Sequence, residues 1–170
     1  MAHYRAVMTA ILLRPAVGED ARFLADMLVE AANWSPASRR PRVQVLADPT
    51  LAPYVSGWMR PGDAGLVAES PSGDPLGACW FRLFDQSRPG QGFVAGGVPE
   101  LTLGVSPLWR AQGVGRELLR GVATVARSSG YARLSLSVDR GNFAQRLYVS
   151  EGYVVVHSDD RADVMVRTLA

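Results

Sequence analysis

The residues best able to do chemistry lie in one stretch, Val105-Ser106-Pro107-Leu108-Trp109-Arg110-Ala111-Gln112-Gly113-Val114-Gly115-Arg116. It reads as the end of a strand, a tight turn and the start of a helix. Glycines where a helix begins let backbone N–H groups approach an anion with no Cβ in the way. The helix macrodipole favours negative charge at the same point, by roughly 0.3–1 kcal/mol per charge. Arg110 and Arg116 add mobile positive charge beside it. One reading is a phosphate or pyrophosphate site at this helix start. The other is a glycine-softened helix start with solvated arginines.

What the sequence lacks narrows the chemistry further. All 18 basic side chains are arginines, and there is no lysine in the 170 residues. That excludes a Schiff-base lysine, a pyridoxal-phosphate anchor and the lysine of a G-x-x-x-x-G-K-[ST] phosphate loop. His3 and His157 are the only histidines and Cys79 the only thiol. One chain therefore cannot assemble the usual Cys/His zinc site or an internal disulfide, and no metal is expected. A net charge of +2, with no basic stripe carrying interleaved aromatics, gives no reason to expect nucleic acid as a partner. No run reaches the roughly 18 apolar residues of a membrane span. The mild apolar run Ala6–Leu13 is closely flanked by Arg5 and Arg14 and reads as leader plus first strand. A cytoplasmic protein is expected. Hydrophobic content of 48% against 20% charged residues suits one well-buried core, hence a single domain over 1–170 with about 1–10 as leader.

Periodicity supplies the elements that must position these residues. Ile11–Arg14 reads as a first strand stopped by Pro15. Glu19 to Ala32 reads as a helix with Phe23, Leu24, Met27, Leu28 and Ala31 on one stripe. Five prolines between Pro36 and Pro61 allow only short helical pieces, at about 41–47 and 52–59, expected to cover something. Strands are predicted at 65–69 and 76–84, joined through Ser72-Gly73-Asp74. The glycine-rich stretch 85–98 reads as a loop that is either mobile or ordered by ligand. In the strand 99–105, alternation puts Glu100, Thr102 and Gly104 on one face and Leu101, Leu103 and Val105 on the other. A helix over 113–129, a strand over 133–138, a short helix over 142–151 and strands over 153–157 and 164–168 complete the chain. The outcome is an α/β protein with a mostly antiparallel sheet.

The glycine turn does not fit the dinucleotide fingerprint. Leu118 stands where that pattern wants glycine or alanine, and no second βαβ half follows. Arg110-Ala111-Gln112-Gly113-Val114-Gly115 instead resembles the Arg/Gln-x-x-Gly-x-Gly/Ala pyrophosphate loop of the GNAT family, the GCN5-related N-acetyltransferases. Downstream, Asn142-Phe143-Ala144-Gln145-Arg146-Leu147-Tyr148 followed by Glu151-Gly152-Tyr153 is similar to the family's Asn…Ala-x-x-Leu-Tyr-x-x-x-Gly-Phe segment. The likeness runs roughly from Ile11 to Thr168 and is weakest at 34–62 and 85–98.

The resemblance implies the acyl-CoA N-acyltransferase fold: a mixed sheet of about seven strands, splayed between the fourth and fifth and flanked by helices. It implies acetyl-CoA as co-substrate, with transfer of its acetyl group directly to a primary amine of a small molecule or peptide in a ternary complex. Backbone groups of Leu103, Gly104 and Val105 would pair with the pantetheine amides. Arg110, Ala111, Gln112, Gly113, Val114, Gly115 and Arg116 would hold the pyrophosphate. Asn142 suffices as a helix N-cap, with contact to CoA as an addition.

Two proton problems remain. A lysine-like amine has a pKa near 10.4, so only about one in a few thousand is nucleophilic at neutral pH. The departing thiolate also benefits from an acid, each role being typically worth about 10²–10⁴-fold. In the family, the tyrosine matching Tyr148 faces the thioester sulfur, which makes Tyr148 the acid candidate against a packed interface aromatic. Glu100 is the base candidate, acting through water, against a surface carboxylate paired with arginine. The next strand, Ser135-Leu136-Ser137-Val138, offers no carboxylate for the variant mechanism of some peptide-specific members. Trp34, Trp80 and Phe93 are the aromatic candidates for acceptor contact, and Trp34 shares the variable region 34–58 with Tyr54 and Trp58. That region leans towards a compact, partly apolar small molecule. A homodimer is compatible with the family. The rival from another class is a non-catalytic acyl-CoA-binding sensor or regulatory protein on the same fold.

Overall fold

In the computed structural model, residues 10–169 are described, so the expected leader lies almost wholly outside the described residues. Seven strands form one sheet in the order β1-β2-β3-β4-β5-β7-β6. They are β1 (Leu12–Pro15), β2 (Ala64–Glu69), β3 (Pro75–Arg82), β4 (Glu100–Val105), β5 (Arg133–Asp139), β6 (Val154–Ser158) and β7 (Ala162–Thr168). Every neighbouring pair is antiparallel except β4 and β5, which are parallel. The predicted α/β architecture and strand count are as observed.

Alternation along the central strands divides two cores. On one face Leu66, Cys79, Phe81 and Leu101 pack under α3 (Val114–Ser128), whose Val114, Leu118, Val122 and Ala126 form its buried stripe. On the other, Val67, Ala78 and Trp80 pack under α1 (Ala21–Ala32) through Leu24, Met27 and Leu28. Gly104 permits the second contact, because a Cβ there would lie 2.3 Å from the Met27 carbonyl oxygen. The remaining helices are α2 (Arg42–Ala47) and α4 (Ala144–Ser150).

Three expectations need adjustment. Pro15 does not stop β1 but ends inside it. The strand lies at the sheet edge with β2 as its one partner, and an edge position needs no N–H from proline. The piece expected at 52–59 is a single 3-10 turn, Ala52–Tyr54, followed by turns. The loop at 85–98 is anchored at its middle and at its end, where Gly92 and Val98 are buried. Gly92 is buried against β5, where a Cβ would lie 2.6 Å from the Leu136 carbonyl carbon, and Gly90 packs on Glu100. Gly90 and Gly92 serve close approach, while Gly96 and Gly97 have open space around them. Among the described residues no helix is long and apolar enough to cross a membrane.

Candidate active site

β4 and β5 are in register only at Glu100 and Ser135, with the Ser135 N–H also bonded to the Pro99 carbonyl at 3.0 Å. Beyond that point the two strands diverge. The β5-facing side of Leu101–Val105 is left without a strand partner, and a cleft of about 710 Å³ opens there. Its walls include Leu103, Gly104 and Val105 of β4, Leu136 to Asp139 of β5, the C-terminal part of α1, and Asn142 and Tyr148. An extended chain bearing amides could take the place of the missing strand, as backbone groups in a sheet require partners.

One end of the cleft is the glycine turn. Gly113 sits at φ +86° and Ala111 at φ +58°, both in the left-handed region, which costs a non-glycine residue about 1–2 kcal/mol. Such strain at a turn is commonly functional. The first α3 hydrogen bond runs from Glu117 N–H to the Gly113 carbonyl. The N–H groups of Val114, Gly115 and Arg116 therefore have no partner within the helix. The Val114 side chain is buried in the core, so only its N–H is on offer. Gln112 does not line the cleft; its amide donates to the Leu108 carbonyl at 3.0 Å.

The arginines here are not the mobile charges expected. Arg110 is paired with Glu30 of α1 at 3.0 Å, and Arg116 is bonded to Glu151 and to Ser150 Oγ. Both remain partly exposed, so these pairs are weak enough to exchange for another anion. The carboxylates that occupy them, Glu30 and Glu151, are separated from them by 80 and 35 residues and carried no sequence signal.

The opposite end is buried. Glu100 is 3% exposed yet lines the cleft. The expected alternative, a surface carboxylate paired with an arginine, is overturned. Its partner is Tyr54, whose hydroxyl donates to Oε2 and itself accepts the Gln91 N–H at 2.8 Å. Oε1 has no hydrogen-bond partner among the described residues. Burial pushes the Glu100 carboxyl up to about 7, while the Tyr54 hydroxyl and the Gly92 N–H hold it back from rising further. The nearest cation cannot help. Arg82 sits opposite Glu100 in the β3–β4 register, but its Nε and Nη2 go to Asp63 at 3.0 and 2.6 Å. Its Nη1 goes to the carbonyls of Pro53 and Ser56, each at 2.7 Å. Arg82 was legible as a charge in an otherwise apolar strand; Asp63 and Tyr54 had no comparable signal.

Tyr148 lines the cleft and packs edge-on against Tyr153, with ring centroids 6.0 Å apart. Burial, and to a lesser degree Cys79, pushes its phenol above the usual tyrosine range, so it stays protonated through neutral pH. Asn142 also lines the cleft, and its Oδ1 accepts the Ala144 N–H at 2.9 Å; it stands one residue before the expected capping position, since Phe143 is the residue that flanks α4. Trp34 lines the cleft too, its indole N–H donating across to Asp139 of β5 at 2.9 Å. Trp80 and Phe93 do not. Trp80 is a core residue under α1, on the same strand face as Ala78, its indole N–H on the Tyr54 carbonyl at 2.9 Å. Phe93 lies half-buried in the loop away from the cleft wall. Trp58 likewise packs in the α1 core.

The acetyltransferase (GNAT) family profile matches residues 28–153, which contain both motifs and the whole splayed junction. The chain belongs to the GNAT family. Solved structures of the same fold include YncA of Salmonella typhimurium, described with its cofactor acetyl-CoA. It is 21% identical, with 95% of each chain covered and a TM-score of 0.66. A GNAT-family acetyltransferase of Staphylococcus aureus Mu50 is 15% identical over 95% of this chain and 100% of its own, at a TM-score of 0.68. The PaiA N-acetyltransferase of Thermoplasma acidophilum, in complex with coenzyme A, is 16% identical over 94% and 99%, at 0.62. No curated protein matches the chain. Within the GNAT fold, the splay between β4 and β5 and the turn before α3 both leave backbone groups without a strand or helix partner.

Proposed function

We propose that this GNAT protein is an acetyl-CoA-dependent N-acetyltransferase that moves an acetyl group directly to a primary amine, with a compact, partly apolar small molecule favoured over a peptide. The observation that carries this reading is a single cleft joining unpaired strand and helix N–H groups to a buried carboxyl and a buried phenol. A binding-only protein has no use for the last two.

The residues present fit acetyl-CoA. β4 from Leu103 to Val105 offers free backbone groups to amides, and the N–H groups of Val114 to Arg116 suit a pyrophosphate. Acetyl-CoA supplies an acetyl group activated as a thioester. Glu100 takes the proton that the attacking amine nitrogen sheds as the new N–C bond forms, directly or through a water. A carboxyl titrating near 7 is half-ionised at neutral pH and matched to that work. As the C–S bond breaks, Tyr148 presents its O–H to the departing sulfur, whose proton is finally drawn from the phenol or from water. The apolar wall of Leu28, Ala31, Leu51 and Trp34 excludes water and accounts for the leaning towards a partly apolar acceptor.

A CoA-release screen across aminoglycosides, polyamines, amino acids and peptides tests the reading. At least one amine should accelerate release, and Tyr148→Phe should lower that turnover by about 10²-fold while acetyl-CoA still binds. Release that no amine accelerates, with tight acetyl-CoA binding, would establish the sensor instead.

A further inference from the structure

Three side-chain contacts join β3 to the segment 53–56, and all three grip its backbone. Arg82 Nη1 holds the carbonyls of Pro53 and Ser56, and Trp80 Nε1 holds the carbonyl between them, that of Tyr54. Arg82 is itself locked by a two-pronged ion pair to Asp63, with both side chains at most 2% exposed. This is a large outlay of buried polar groups for a turn of three residues. A buried pair of this kind stabilises little against an apolar replacement. What it does is fix geometry. The segment so held carries one polar side chain into the interior, and its hydroxyl ends on Glu100.

Tyr54 itself needs little from its hydroxyl for packing. Its ring sits edge-on to Phe84 at 5.1 Å and belongs to the core under α1. The hydroxyl is spent on a relay: Gln91 N–H donates to Tyr54, and Tyr54 donates to Glu100 Oε2. A donor that is itself accepting a hydrogen bond is a stronger donor. With Oε2 engaged, the unpartnered Oε1 is the oxygen left to receive a proton.

We infer that Tyr54 is a positioning residue for the base, held in place by Arg82, Asp63 and Trp80, and that it orients Glu100 so that Oε1 alone serves the acceptor. The inference rests on the reading of Glu100 as base. Around Glu100, β3 offers Arg82, already saturated by Asp63 and two carbonyls. β5 offers the neutral Ser135 and the loop 90–92 offers backbone, while the one carboxylate that α1 gives to the same cleft, Glu30, is paired with Arg110. Tyr54 is thus the one side chain donating to this carboxylate among the described residues.

The test is a pH titration of the glutamate side-chain carboxyls by ¹³C NMR in the wild-type protein and in Tyr54→Phe, with Glu100→Gln to identify the resonance. Since the Tyr54 bond favours the charged form, its loss should move the Glu100 midpoint upward by roughly half to one pH unit. The acid limb of kcat/KM, measured with the amine that gives fastest CoA release, should move with it while the melting temperature holds. Arg82→Lys keeps the charge on Asp63 but loses the carbonyl grip, and should shift the midpoint the same way. Combined with Tyr54→Phe it should add nothing, since both act through one contact. An unmoved midpoint in folded Tyr54→Phe, or fully additive shifts, overturns the positioning role and leaves Glu100 as base. An unchanged kcat/KM profile in Glu100→Gln overturns both.

Discussion

At the α3 end of the cleft, the groups offered to a ligand are backbone N–H groups and exposed arginines drawn from fewer than a dozen consecutive residues, 106–116. At the Glu100 end, the site is assembled from β3, β4, the turn at 52–54 and the loop at 90–92, and its polar groups are buried. One end is local and wet, the other non-local and dry. Charges at the first are screened and exchangeable. At the second, each carboxyl or guanidinium depends on a specific partner, because the interior offers no water in its place. The lesson is that one cleft joins two different dielectric surroundings, and the proposed function puts ligand binding in one and proton handling in the other.

Perturbing the two ends should therefore give effects of different size. The largest is expected from Glu100→Gln, which should lower kcat/KM by about 10²–10⁴-fold and remove the acid limb of its pH profile. The same change should stabilise the protein above neutrality. The Glu100 carboxyl ionises near 4.5 when unfolded and near 7 when folded, so between those values the folded chain holds a proton that the unfolded chain has lost. Stability falls as pH rises through that window, and the cost, about 3 kcal/mol, is complete above it. Urea unfolding at pH 8 should show Glu100→Gln the more stable, with the gap closing at pH 5.

Asp63→Ala comes next. It strands the buried Arg82 cation and should lower unfolding free energy by about 3–5 kcal/mol. At the wet end, Gly113→Glu forces a side chain into φ +86° and sets a carboxylate at the helix start, yet a Cβ there meets nothing within 4 Å. Calorimetry should show acetyl-CoA affinity largely lost and the melting temperature moved only slightly; unchanged affinity would remove the phosphate role of this turn. Smallest is Arg116→Ala, expected to change affinity by under about 1 kcal/mol, and less at high salt. If Arg116→Ala proved as damaging as Asp63→Ala, the division into wet and dry ends would not stand.

Legibility followed the same division. The glycine turn and the alternation placing Glu100 opposite Leu101 were readable as local patterns of spacing and period, and the Asn142 to Tyr148 segment through its resemblance to the family motif. Trp80 was misread as a candidate for acceptor contact, since a tryptophan in a strand looks the same whether its face meets a cleft or α1. The packing of Gly90 and Gly92 against Glu100 and β5 was not legible, because glycines that permit close packing resemble glycines that permit motion.

The amino-acid sequence alone determined the order of elements, the glycine turn at the start of α3 and, through the missing lysines, which mechanisms are closed to this chain. Only the tertiary structure decided that Arg110 and Arg116 are paired, that Glu100 is buried without a cation, and that Tyr54 reaches it across 46 residues of sequence. The physical reason is range. Propensity and turn chemistry act between neighbours along the chain. A pKa, a buried ion pair or a free carboxylate oxygen depends on what lies within a few ångströms in space, and folding sets that distance.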